Sequence, residues 1–103
     1  MIVFSVLYPA KDGAKFDAAY YDATHIPLVK DAFTATGLTD VQVLKGLSAP
    51  GGGPAPFVAI VNLTFKDAEA LAASLGGPRA AEVMGDVVNF TDITPVAQVS
   101  TPA

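Results

Sequence analysis

The run Phe57–Phe65, FVAIVNLTF, constrains this chain more than any other stretch. Phe57, Ala59, Val61, Leu63 and Phe65 alternate with Val58, Ile60, Asn62 and Thr64. A period of two over nine residues is a strand, and a strand with one wholly apolar face needs a layer packed against it. Residues 2–8 form a second strand, stopped by Pro9. Here Ile2, Phe4, Val6 and Tyr8 oppose Val3, Ser5 and Leu7, so both faces are apolar apart from Ser5. Two further strands are expected at residues 39–47 and 95–100.

Helical spacing fills the gaps between them. Phe16, Ala19, Tyr20 and Ala23 share a face of a helix over residues 14–23. Pro27 donates no N–H and disfavours helical geometry at Ile26, so the helix is expected to kink or restart there. A second piece restarts over residues 27–36, with Leu28, Val29, Ala32 and Phe33 inward and Gly37 as its stop. The tract SAPGGGPAP, residues 48–56, is a hairpin loop. Asp67 caps a helix over residues 68–75, and one more turn follows over residues 79–84.

The order is β-α-β-β-α-β, the ferredoxin-like α+β arrangement: a four-stranded antiparallel sheet with helices on one face. With 103 residues, the chain reads as one domain, 1–103. The first and third strands are apolar on both sides, yet no further element remains to cover the second face. A second copy, packed sheet to sheet about a two-fold axis to close a barrel, is the simplest cover.

Composition narrows the partners. Apolar residues make up 51% and charged residues 16%, which fits a homodimer that hides apolar surface. The net charge is −4, and the six cations form no run, which argues against nucleic acid. With no cysteine and a single histidine, neither a disulfide nor a transition-metal site is expected. No stretch reaches the ~18 apolar residues of a membrane span. The chain reads as a cytoplasmic protein without membrane contact or cofactor.

The one histidine, His25, stands two residues before Pro27 in FDAAYYDATHIPLV. Imidazole takes and gives a proton near neutral pH, so His25 is the candidate general base or acid. The competing reading is a histidine that satisfies backbone freed by Pro27. Tyr20 and Tyr21 point about 100° apart on a helix. One of them could polarise a substrate oxygen, or both could be core. In MGDVVNF, Asp86 could orient the imidazole and Asn89 could bind a carbonyl oxygen. Otherwise Asp86 caps a turn and Asn89 satisfies loop backbone. Tyr8 and Phe90 complete the candidate substrate contacts. The glycine-rich loop lacks the Lys-Ser/Thr of a phosphate cradle.

These residues carry a resemblance. Tyr8-Pro9, Phe16-Asp17, Tyr20-Tyr21, His25-x-Pro27-Leu28-Val29, Gly46-Leu47, Phe65 and MGDVVNFTDITPVAQVS occur in an order similar to the EthD family of the dimeric α+β barrel superfamily. Two places differ from the usual family pattern: Val88-Asn89-Phe90 stands near a proline-asparagine-tyrosine, and Arg79-Ala80 stands where a histidine is common. The resemblance implies the dimeric barrel and a ligand pocket between the first helix and the helix-covered face of the sheet.

The resulting expectation is a cofactor-independent enzyme that moves protons on a hydrophobic carbonyl or phenolic small molecule, by cyclisation, isomerisation or dehydration. Alternatives are a non-catalytic carrier of apolar metabolites and, least favoured, a haem protein with His25 as axial ligand.

Overall fold

The computed structural model describes all 103 residues. Strands β1 (Ile2–Pro9), β2 (Leu38–Lys45), β3 (Phe57–Phe65) and β4 (Val96–Ser100) form one antiparallel sheet in the order β2-β3-β1-β4. Val6 pairs with Val61 on one side and Ala97 on the other, so the two most apolar strands lie at the centre. The ferredoxin-like α+β topology is the one the element order predicts.

Strand alternation decides the layers. Tyr8, Ala59, Val61, Leu63 and Phe65 are buried, and they join one core with Val29, Ala32, Phe33, Ala70 and Leu71 of the helices. On the opposite face no element covers the sheet. Leu44 and Val96 are about half exposed there, and Val3, Leu7, Val58 and Ile60 are partly exposed. A polar strip crosses the same face: the Ser5 hydroxyl donates to Asn62 Oδ1 at 2.6 Å, and Asn62 Nδ2 donates to Gln42 Oε1 at 3.0 Å.

The first helical run differs from the expectation. It starts at Ala18, because Asp17 caps it by accepting from the Tyr20 N–H at 3.0 Å. Phe16 instead lies in an extended bridge to Thr91. Nor does the run break at Pro27. The turn α1 (Ala18–Tyr20) passes into a π-turn, Tyr21–His25, and then into helix α2 (Ile26–Phe33). The Ile26 N–H bonds to the Tyr21 carbonyl five residues back, and Pro27 occupies the first turn of α2, where its missing N–H costs little. Widening the turn relieves the proline without ending the helix.

A 3₁₀ turn, Thr34–Thr36, leads to Gly37 in the left-handed region at φ 110°, which ends the run. The second strand begins at Leu38 and ends at Lys45, earlier than its sequence pattern suggests, and Leu47 projects into solvent. Helix α3 (Ala68–Leu75) is capped by Asp67, whose Oδ1 accepts from the Ala70 N–H at 2.7 Å, as the sequence implies. A short helix, α4 (Ala80–Gly85), and a 3₁₀ turn, Val87–Asn89, lead to β4. Arg79 ties α4 to α2 by bonding Asp31 at 2.8 Å and Glu82 at 3.0 Å.

Gly37 makes the join between helix and sheet testable. A methyl at this position would overlap the Ala70 methyl, and the backbone there is one that L side chains rarely adopt. Gly37→Ala is expected to lower unfolding stability by about 2 kcal/mol or more, read from urea denaturation midpoints at constant m-value.

Candidate functional site

Three long-range ties bring the site together. The Asp17 N–H donates to the Phe90 carbonyl at 2.7 Å, the Lys15 N–H donates to Asp92 Oδ1 at 2.8 Å, and the Thr91 hydroxyl donates to the Lys15 carbonyl. The segment after α4 is thus stitched to the entry of the first helical run. Phe90, fully buried, fills the space between them. Its ring lies 4.6 Å from that of His25, 5.0 Å from Tyr21, 5.5 Å from Phe16 and 5.9 Å from Tyr8. Phe90 therefore supports the imidazole from beneath.

The stitching sets Asp86 against His25. Asp86 Oδ2 lies 2.8 Å from His25 Nδ1, while its Oδ1 accepts from the Tyr20 hydroxyl at 2.6 Å and from Asn89 Nδ2 at 3.0 Å. Burial alone would raise the Asp86 carboxyl, but the donors Tyr20, Asn89 and His25 outweigh it and hold the group below its ordinary range. The same bond, donated to a carboxylate, raises the Tyr20 phenol.

An ionised carboxylate can only accept, so the proton between the two groups belongs to Nδ1. In neutral His25 that leaves the lone pair on Nε2. His25 is 4% exposed and forms part of the wall of a cavity of about 420 Å³ between α2, α4 and the inner face of the sheet. Nε2 has no protein partner. The arrangement is an imidazole fixed at one nitrogen and free at the other, the geometry of a general base.

The other candidates divide around it. Tyr21 and Tyr8 line the cavity with His25, and the Tyr21 and His25 rings stack at 5.5 Å. Burial pushes the Tyr8 phenol up to about 12 and raises Tyr21 further, so both stay protonated. Tyr20 spends its hydroxyl on Asp86 rather than on the cavity. Asn89 donates to the same carboxylate, and Phe90 is a floor to the ring cluster. Neither lines the cavity. Sequence reasoning did not single out Met84, Val88, Pro95 or Ala97, which complete the wall. Met84 in α4 and Val88 in the following 3₁₀ turn are large apolar side chains left exposed, and their exposure follows from the fold rather than from any sequence pattern. No cluster of three or more His, Asp or Glu side chains forms a metal site.

The fold and this pocket define a ferredoxin-like α+β protein with a carboxylate-held imidazole facing an apolar cavity. The chain belongs to the EthD family: the model of the EthD domain matches residues 11–94. An EthD-like protein from Ralstonia eutropha is 39% identical, with a TM-score of 0.87 over 96% of this chain and 88% of that one. An ethyl tert-butyl ether degradation (EthD) family protein from Bacillus halodurans shares the fold at 20% identity, with a TM-score of 0.80 over 100% and 99% of the two chains. So does a protein from Bacteroides fragilis described as dimeric, of unknown function and of ferredoxin-like fold, at 10% identity and a TM-score of 0.57 over 98% and 95%. No curated protein matches the sequence.

Asp86 links the site to acid stability. Its carboxyl titrates lower in the folded chain than in the unfolded one, so its contribution is present above the unfolded value of about 3.9 and is lost as pH falls through the folded value. Asp86→Asn is expected to flatten the stability–pH curve on its acid side, below about pH 5. Urea midpoints measured from pH 7 down to pH 2.5 test this, and an unchanged acid slope would refute it.

Proposed function

We propose that this chain is a cofactor-independent enzyme that moves a proton on a hydrophobic carbonyl or phenolic compound, with His25 Nε2 as the base. The observation that carries the reading is the Nδ1 bond to Asp86, which leaves Nε2 unpaired at the wall of an apolar cavity. Asp86 holds the tautomer and offsets the imidazolium charge that forms on proton abstraction. Tyr20 and Asn89 fix the carboxylate in turn. The proton taken at carbon can be returned by the same imidazole at another atom, which is the common step of isomerisation, cyclisation and dehydration. A dry pocket favours this chemistry because charge on the base and on the developing oxyanion is not screened by water.

The proposed unit is a homodimer. Its support is the uncovered apolar face of the sheet and the dimeric fold relative from Bacteroides fragilis. Packing two such faces would bury an area in the ordinary range of about 800 Å² per partner. Sedimentation equilibrium is expected to give twice the 10.5 kDa chain mass, and Ile60→Asp, in the middle of that face, is expected to shift it towards the single chain.

The catalytic reading is tested with 2-tetralone, whose acidic C–H bonds adjoin a carbonyl. Proton NMR in D₂O follows their exchange. Wild-type protein is expected to accelerate it, and His25→Ala to remove about 100-fold or more of the acceleration. Exchange kept within tenfold by the variant would sink the role of His25. Binding of 2-tetralone with no exchange by the wild type would favour the carrier reading instead.

A further inference from the structure

The uncovered face of the sheet is organised in rows that run across the strands. Strand register aligns Gln42 with Asn62, Asn62 with Ser5 and Ser5 with Gln98, so one polar row crosses all four strands. At the ordinary strand spacing it is about 14 Å long. Two residues along the strands lies a wholly apolar row of Leu44, Ile60, Leu7 and Val96. Two residues the other way lies a mixed row of Asp40, Thr64, Val3 and Ser100.

The polar row also has a direction. Ser5 donates to Asn62 and Asn62 donates to Gln42, which leaves the Gln42 amide N–H groups free at one end. At the other end Gln98 gives an N–H to Ser100 Oγ at 2.9 Å and keeps its carbonyl oxygen free. One end of the row therefore offers donors and the other an acceptor. Gln42 and Gln98 stand on the two edge strands, and both are exposed in the single chain.

Two copies of such a face can be stacked about a two-fold axis in two ways. With the axis across the strands, β2 lies over β2 of the partner, so donor end meets donor end and acceptor meets acceptor. Position along the strands is reversed in that stacking, and at most one row can face its own copy. Centred on the polar row, it sets the apolar row against the mixed row with its Asp40 carboxylate. With the axis along the strands, β2 lies over β4 of the partner, and every row meets its own copy in reverse order. Leu44 then opposes the partner's Val96, Ile60 opposes the partner's Leu7, and Gln42 opposes the partner's Gln98.

We propose that a second copy packs on this face with the two-fold axis along the strands, and that the Gln42 amide of each copy donates to the carbonyl oxygen of the partner's Gln98. This deepens the homodimer reading by fixing the orientation of the two copies, and it rests on that reading. Packed sheets lie about 10 Å apart, a gap that two glutamine side chains close from either side. By symmetry the bond forms twice, once at each end of the row. Apolar rows alone would let one sheet turn on the other, whereas the polar row leaves amides buried and unpaired in any other setting.

A charge-pair cycle tests the orientation, with dimer dissociation constants read by sedimentation equilibrium. The variants are Gln42→Glu, Gln98→Lys and both substitutions in one chain. Because both positions are exposed in the single chain, its fold is expected to persist in all three, which circular dichroism checks. Each single substitution buries two unpaired charges in the dimer and is expected to weaken it at least tenfold. With both in one chain, every new carboxylate faces a new ammonium of the partner, and the dimer is expected to be about tenfold or more tighter than with either substitution alone.

A double variant no tighter than the single ones would mean that like ends face each other, and would overturn the proposal. Single substitutions without effect on a dimeric wild type would overturn it as well, by placing the row outside the interface. In both cases the homodimer reading stands and only the orientation is lost. A wild-type chain that sediments at the single-chain mass removes both.

Discussion

Everything at the site depends on the packing of Phe90. Its ring is enclosed by Tyr8, Phe16, Tyr21 and His25, which come from the end of β1, from the bridge before the first helical run and from the π-turn within it. Burial of a ring of this size, together with its edge-to-face contacts, is worth several hydrogen bonds. It anchors a segment that carries no long helix or strand of its own. Asp86 and Asn89 lie within four residues of Phe90 and are positioned by it. The hydrogen bond between His25 and Asp86 spans 61 residues of sequence, and Phe90 helps to hold its two ends together.

The carboxylate is the second level of this order. It accepts from a phenol, an amide and an imidazole at once, so its orientation is fixed from three directions. A polar cluster of this kind, placed at the rim of an apolar core, is stabilised because the carboxylate is satisfied by all three donors. The contrast with Tyr21 is sharp. One tyrosine of the adjacent pair bonds Asp86, while its neighbour is buried among the rings of Tyr8, Phe16 and Phe90. The two side chains diverge from consecutive positions of one helical run, so a single step in sequence leads from the polar cluster to the ring cluster.

Much of the fold was legible in the residues, for local reasons. Alternation in Phe57–Phe65 and in residues 2–8 set the two central strands and their buried faces, and Asp67 marked a helix start by its capping chemistry. The family resemblance pointed the same way. Pro27 marked the place where the helix must change, and the form of the change, a π-turn rather than an interruption, was not encoded by the proline alone. Phe16 followed helical spacing yet lies in a β-bridge, because a tertiary contact with Thr91 outweighed local pattern. Within the site, residue types suggested the chemistry of His25 and Asp86. The destination of the Tyr20 hydroxyl depended on Asp86, 66 residues away, and no local pattern encodes that contact.

The π-turn has a consequence for how such a chain can change over generations. A π-turn equals an α-helix with one residue inserted, and each added residue turns the helix by about 100°. Deleting one position between Tyr21 and His25 would restore a regular helix and swing everything before it by that angle relative to α2. Tyr20 would leave Asp86, and Asp17 would leave its tie to Phe90, although none of the four had been substituted. The length of this stretch, as much as its composition, is therefore under physical constraint. Substitutions can accumulate around the site one at a time, whereas a one-residue gap in this segment dismantles it in a single event.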